Sequence, residues 1–395
     1  MKELSYKESH PWVSFEVDLK AAGASFWMQL GEARSKMEHI AGVPLRPETA
    51  EKMHILYLAK GALATTAIEG NTLSEEEALG VIEGRLKLPP SKQYLAEELK
   101  NIVVACVQIF ADTDMSYVLT PADIKQFDQL VLQGLALAEG VVPGEFRTHE
   151  VVVGNYRGCP ARDCPALIDE LCHWLNGPTF ATDDPDLAVP FSILKAVLAH
   201  LYIAWIHPFG DGNGRTARLV EFAILVSAGV PKPAAHLLSN HYNLTRSEYY
   251  RQLDAAGRHT KGDVLPFIRY AVQGLLDGLR EQVDFIRAQQ MDVTWENYVH
   301  SAFRELKGST HERRKWIVLD LSNRGPSSRG KIRILSERLA DAYANKTDKT
   351  LTRDLNALLQ MGLIKRGGEG YLVSTERISA FLPARTSTDA EPRTG

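Results

Sequence analysis

Four cysteines in 395 residues are too few for a disulfide framework of the kind that staples small secreted folds. No uninterrupted apolar run reaches the ~18 residues that a membrane span requires. The N-terminus, MKELSYKESHPW, lacks a basic stretch followed by an apolar one, so no secretory signal is read there. Internal repeats and low-complexity tracts are missing as well. Hydrophobic residues make up 45% and charged residues 24%, which excludes wholesale disorder. These absences lead to the expectation of a cytoplasmic protein with no membrane partner. At roughly 150 residues per domain, the length predicts two or three domains.

The net charge of −4 is unevenly spread. Residues 1–300 carry 27 Lys+Arg against 38 Asp+Glu, a balance of −11, whereas residues 301–380 carry 16 against 9, a balance of +7. A basic module on an acidic body points to a separate partner for the far end, nucleic acid among the candidates.

Helical periodicity dominates. Residues 48–70 space Met53, Leu56, Leu63 and Ala67 as one helix face, stopped by Gly70 and Asn71. A Ser74-x-x-Glu77 capping box opens another helix. Segments 94–111, 121–137, 165–176, 187–206 and 214–228 also read as helices, the last two apolar nearly all round and therefore core. The exception is EVVVGNYRG at 150–158, whose β-branched run into Gly154-Asn155 predicts a short hairpin. The expected fold class is all-α, with a charged helical bridge over 276–312, a boundary near residue 300 and a disordered tail over 385–395.

The chemistry concentrates at 207–218, HPFGDGNGRTAR. Gly210, Gly212, Asn213 and Gly214 lead into a helix whose first N–H groups have no partner and whose dipole is positive, an anion site for phosphate. Arg215 and Arg218 lie three apart on its first turn and reach anionic oxygens. Asp211 is a hard oxygen ligand suited to Mg²⁺ shared with phosphates. His207 is the nearby group that takes a proton at neutral pH. Pro208 and Phe209 read as structural. The bland alternative is a capped turn before a helix.

HPFGDGNGR resembles the Fic-family motif HPFx(D/E)GN(G/K)R at every position, and the resemblance runs from about residue 50 to 275. It includes GEFRTHEVVVGNYRG at 144–158, SEYYRQL at 247–253 and GDVLPFIRYAV at 262–272. The resemblance implies a Fic helical domain over 115–290, behind a helical region over 1–114. It also implies transfer of AMP from ATP, with Mg²⁺ (or Mn²⁺), to a Tyr, Thr or Ser hydroxyl of a target protein. In that scheme His207 is the general base and Asp211 holds the metal. Gly212, Asn213 and Gly214 receive the α- and β-phosphates, Arg215 and Arg218 neutralise the chain, and Arg218 takes the γ-phosphate. Gly214, where the family also allows Lys, favours nucleotidyl transfer.

Thr65-Thr66-Ala67-Ile68-Glu69-Gly70 matches the family's inhibitory pattern (S/T)xxxE(G/N), on a helix expected over about 48–70. Thr65 and Glu69, four apart, would share one helix face, and Glu69 would pair with Arg218. The alternatives are a solvent-facing Glu at a frayed end, and a Glu that orients water to remove AMP. Val151, Val152, Val153 and Gly154 form the expected target-binding flap, adding a target segment as a strand. Tyr249 and Tyr250 resemble adenine-side residues, Tyr250 being the expected stacking partner. The resemblance also admits a homodimer. Cys159, Cys164, Cys172 and His173 are read as incidental thiols and a histidine, not zinc ligands, because their spacing is irregular.

Residues 300–384 pattern as three helices and a small hairpin around Gly367-Gly368-Glu369-Gly370, a winged helix-turn-helix. Lys346, Lys349 and Arg353 lie on its outward part, and Lys365 and Arg366 on the wing. DNA contact is one reading, and protein docking another. A DNA-binding regulator whose Fic domain senses nucleotide or modifies itself is the competing function, beside net AMP removal.

Overall fold

The structure is a computed structural model that describes residues 5–154, 156–259 and 262–379. The expected tail over 385–395, Asn155 of the hairpin and the end of the 300–384 module lie outside the described residues. The described residues are 68% helical, and the only sheets among them are two antiparallel two-stranded ribbons, so the all-α expectation holds.

Two compact units are formed, Met1–Asp284 and Phe285–Gly395. The larger contains α1 (Gly23–Gly42), α2 (Pro47–Ala67), α3 (Glu75–Ile82), α4 (Gln93–Asp112) and α5 (Pro121–Leu132). There follow β1 (Val152–Val153), β2 (Tyr156–Arg157), α6 (Cys164–Leu175), α7 (Pro185–Ile206), α8 (Asn213–Ser227), α9 (Leu237–Leu244) and α10 (Arg246–Asp254). Local chemistry sets the starts. Ser74 with Glu77, and Thr120 with Asp123, close reciprocal capping boxes, and Pro121 and Pro185 sit where a missing N–H costs nothing. The expected helix over 121–137 ends earlier, at Leu132, because Gly134 turns the chain with a positive φ of 70°.

α7 and α8 form the centre. α7 is long and apolar enough to cross a bilayer by length and composition, and 61% of its most apolar window is buried, as for a core helix of the bundle. Ile193, Leu194, Val197, Leu198, Leu201 and Ile203 are all inaccessible to solvent. α1, which packs on α7, carries Phe26, Leu30, Ala33 and Met37 at three- and four-residue spacing, a pattern that the sequence reading passed over.

The hairpin forms as expected, pairing Val152 with Arg157 and Val153 with Tyr156. Gly158 and Cys159 anchor its return through N–H bonds to the Val151 and Ile206 carbonyls, 3.2 Å each. All four cysteines are free and buried, and burial pushes Cys164 up to about 11 and Cys172 up to about 12.

Helix α11 (Leu265–Ala302) contains the division between the units, which falls ahead of the linker expected near residue 300. Trp295, Val299 and Phe303 belong to the C-terminal core, together with Ile317, Leu321, Leu339 and Leu351. That unit adds α12 (Ser309–Arg324), α13 (Glu337–Tyr343), α14 (Asp348–Gln360), β3 (Ile364–Gly367) and β4 (Gly370–Val373), with Ser327 bridging to Tyr371 on the hairpin's other side. Leu351, Leu355 and Leu358 are buried and Leu359 is partly buried, while Lys346, Lys349 and Arg353 are exposed.

Candidate active site

The site is a turn between two buried helices. α7 ends by placing His207 in the left-handed region, φ 53° and ψ 60°, a conformation that non-glycine residues rarely take. The chain then bends through Pro208–Asp211 and enters α8 behind Gly212, itself at φ 78°. A Cβ at 212 would lie 2.8 Å from Asp128 Oδ1, and one at 210 would lie 2.9 Å from Val141, so both glycines are required by close approach. Asn213 stitches the bend: its Oδ1 accepts from the Phe209 N–H at 2.8 Å, and its Nδ2 donates to the Phe209 carbonyl at 2.9 Å. The Asn213 side chain is therefore engaged in holding the loop, with one of its two amide hydrogens spent on it. Phe209 is buried, its ring tilted against that of Phe146 at 5.5 Å, the structural role expected of it.

His207 is held through its backbone, and its Nδ1 lies 3.4 Å from the Ala204 carbonyl. Burial, with Arg147 adding to it, pushes its pKa down to about 4. The ring is thus neutral at physiological pH and able to accept a proton. It lines a pocket shared with Glu69, Gly214, Tyr156, Tyr249 and Tyr250.

The two arginines part company. Arg218 is almost fully buried and its Nη2 meets Glu69 Oε1 at 2.5 Å while also donating to the Thr65 carbonyl at 2.9 Å. Burial opposes the charge on Glu69, but Arg218 outweighs it and holds the carboxyl below its usual range. Glu69 also sits over the start of α8: a Cβ at 214 would collide with Glu69 Oε1. Arg215 points elsewhere, its Nη1 to Glu98 and its Nη2 to Asp211 at 3.1 Å each, while its Nε has no partner.

One expectation needs correction. The inhibitory helix stops at Ala67 with Ile68 as its cap, so Thr65 and Glu69 do not share a helix face. Glu69 lies in the following turn, its N–H bonded to the Thr66 carbonyl. The reason is a competing set of caps for the last carbonyls. Arg218 takes that of Thr65, Arg246 that of Ala67, and the Tyr250 hydroxyl that of Ile68 at 3.2 Å. Tyr250, expected to stack on a base, is 47% exposed and tied to this turn, while Tyr249 is buried beneath it with its hydroxyl 2.8 Å from His200 Nε2.

In the flap, Val151 precedes β1, Val152 and Val153 are exposed on it, and Gly154 turns at φ 55°. Three residues outside the sequence reading complete the site. Asp128, buried, accepts from the Gly144 N–H at 2.9 Å and lies 3.4 Å from Thr216; burial raises its pKa to about 7. Glu98 and Arg147 are the others. A single sequence shows no period or motif that singles them out, since each bonds across the fold: Asp128 to the Gly144 N–H, Arg147 to the His207 carbonyl and Glu98 to Arg215.

A model of the Fic/DOC family matches residues 118–225, which span α5 to α8 and the whole turn. Over these residues the chain is similar to the Fic/DOC family. It is 31% identical over 206 residues to protein adenylyltransferase Fic of Drosophila virilis, covering 52% of this chain and 39% of that protein. Against protein adenylyltransferase fic-1 of Caenorhabditis elegans the identity is 30% over 214 residues, with 53% and 38% covered. The chain thus spans about two fifths of the length of these curated relatives. A Fic family protein from Desulfovibrio desulfuricans superposes over 90% of this chain and 94% of its own at TM-score 0.52 and 21% identity, which shows a shared fold. A fragment of Fic-1 from C. elegans does so over 66% and 72%, at TM-score 0.50 and 25% identity.

Proposed function

We propose that this chain is a Fic-type protein adenylyltransferase, transferring AMP from ATP to a Tyr, Thr or Ser hydroxyl of a target protein, and that Glu69 restrains it. The observation that carries this reading is the Glu69–Arg218 pair set over Gly214, beside the neutral ring of His207. In the reaction His207 accepts the hydroxyl proton as the oxygen attacks the α-phosphorus, and the bond to pyrophosphate breaks. The products are a protein–AMP ester, pyrophosphate and a proton. Such transfers depend on positioning and charge neutralisation, which N–H groups at the start of α8 and a freed Arg218 supply. While Glu69 holds Arg218, the γ-phosphate lacks its cation and the carboxylate repels the chain above Gly214.

Among the described residues no three His, Cys, Asp or Glu side chains are arranged around a cation. Asp211 offers one half-exposed carboxylate. That donor set suits Mg²⁺ (or Mn²⁺), which takes one or two carboxylates with waters and substrate phosphates, and it does not suit a cage of protein ligands. When bound, the ion would supply charge neutralisation on the α- and β-phosphate oxygens. The exposed Val152 and Val153 support strand addition by a target segment on the flap. Four free, buried thiols are in keeping with a reducing, cytoplasmic setting.

For the C-terminal unit the reading is a winged helix-turn-helix that contacts DNA. Its support is the outer face of α14, where Lys349, Arg353, Asn356 and Gln360 are exposed together, with Lys346 just before it. These are phosphate- and base-reading side chains at helical spacing.

Incubation with α-labelled ATP, Mg²⁺ and host lysate tests the enzyme. Label is expected to rise in Glu69→Gly and to fall by about 10²–10⁴-fold when His207→Ala is added. Glu69→Gly that stays unlabelled sinks the AMP-addition reading, and release of AMP from pre-modified protein by wild type would put removal in its place.

A further inference from the structure

Arg147 has no part in the phosphate chemistry, yet its side chain is entirely inaccessible and its donors are spent on main-chain carbonyls. Nε donates to the His207 carbonyl at 2.7 Å and Nη1 to that of His149 at 2.8 Å. Nη2 donates to the Cys159 carbonyl, with the Ile206 carbonyl at 3.5 Å, and the Arg147 N–H reaches the Pro208 carbonyl at 2.9 Å. The Glu150 carboxylate lies 4.0 Å from Nη1.

These carbonyls come from two places. Ile206, His207 and Pro208 form the end of α7 and the bend that presents the base. His149 and Cys159 are the two stems of the flap, one before β1 and one after β2. A carbonyl at a helix C-terminus has no partner within the helix, and a left-handed residue there is held only by its surroundings. One planar, permanently charged fork therefore satisfies the strained base-bearing turn and both flap stems at once. Gly158 keeps the junction closed, since a Cβ there would lie 2.9 Å from both Arg147 Nη2 and His207 Cβ. The Tyr156 hydroxyl adds a parallel tie to the Trp205 carbonyl at 2.6 Å.

We infer that Arg147 is a positioning residue that fixes the His207 turn and the target flap against each other, so that a hydroxyl presented by the flap meets the base. The inference rests on the adenylyl-transfer reading for its consequence, but its coupling is measurable without turnover. Arg147→Lys keeps the charge and loses the fork; Gly158→Ala keeps the arginine and wedges the junction.

Both variants are made in Glu69→Gly, and two quantities are followed. The first is labelling of a protein target against ATP affinity. Arg147→Lys should lower kcat by about 10²-fold and Gly158→Ala by about tenfold, with ATP affinity within about threefold of the parent. The second is amide hydrogen exchange at 149–154, 156–159 and 207–210. Both the flap and the turn should exchange about tenfold faster together, while the middle of α7 stays protected. Parent-like kcat in Arg147→Lys, or exchange that rises in one segment alone, overturns the inference. So does a fall in ATP affinity that matches the fall in kcat, which marks a general loss of structure. A silent Glu69→Gly parent whose two segments still loosen together removes the adenylyl-transfer reading and keeps the coupling.

Discussion

Each of the two units buries a cluster of arginine and carboxylate, and they are built to opposite ends. In the C-terminal unit Asp354 is 1% exposed and both its oxygens are taken: Arg313 and the Tyr343 hydroxyl on Oδ2, Arg314 on Oδ1, each at 2.8 Å. It joins α12, α13 and α14 and leaves nothing for a ligand. In the larger unit Arg218 is equally buried, but its partner Glu69 is 34% exposed, stands on a turn beyond the end of its helix, and lies where a phosphate would approach α8. Arg218 Nε has no partner. A saturated cluster on three helices is a structural joint. An unsaturated one, whose carboxylate is reached by solvent, is what the proposed restraint calls for.

The comparison breaks if the two carboxylates behave alike on removal. Asp354→Ala strands the buried guanidinium of Arg313 and the part-buried one of Arg314 and should cost about 3–5 kcal/mol of the C-terminal unit's stability, read by denaturant unfolding. Glu69→Gly should cost less, about 1–3 kcal/mol, because the carboxylate lost is partly hydrated and Arg218, though stranded, keeps the Thr65 carbonyl. Its labelling rate should instead rise about 5- to 150-fold, the span of a coupling worth 1–3 kcal/mol. Equal destabilisation with no gain in labelling would make both clusters structural.

Glu69→Gln sharpens the point at smaller scale. An amide oxygen still accepts from Arg218 but no longer repels phosphate, so labelling should rise by less than in Glu69→Gly, about fivefold. The pH profile follows from His207, whose neutral form is the base. Its pKa is held down to about 4, below the ordinary 6.5, so lowering the pH protonates it only near that value. Labelling by Glu69→Gly should be flat from pH 8 through 6.5 and fall towards pH 4; a fall centred at 6.5 would show a hydrated His207. On the other unit the readout is DNA binding. Arg353→Ala should weaken a preferred duplex by about 1–3 kcal/mol, and Lys349→Ala should lower all sequences alike and reduce the salt slope by about one. Unchanged DNA binding in both variants would leave α14 without that partner.

Much of this was legible because it is local. Capping boxes at Ser74 and Thr120, the Gly154 hairpin and the HPFGDGNGR turn each span fewer than ten residues, and short-range sterics and hydrogen bonding decide them. Leu351, Leu355 and Leu358 announce a buried helix face by spacing alone. What escaped was set by partners far away. Arg147, Asp128 and Glu98 carry no periodic signal, and α2 ends at Ala67, before Glu69, because Arg246 and Tyr250 cap it from α10. Arg215 and Arg218 look equivalent on one turn, and only the facing helices send one to Glu98 and the other to Glu69.

The sequence by itself determined the helical class, the glycine-rich turn at the start of a helix and the presence of a carboxylate ahead of it, since backbone conformation and helix dipoles depend on neighbours along the chain. Tertiary structure alone decided which arginine that carboxylate holds, which way Asn213 and Tyr250 point, and that one buried guanidinium bonds both the His207 turn and the hairpin stems. Those outcomes are set by burial, where each donor must find an acceptor from whatever helix lies opposite.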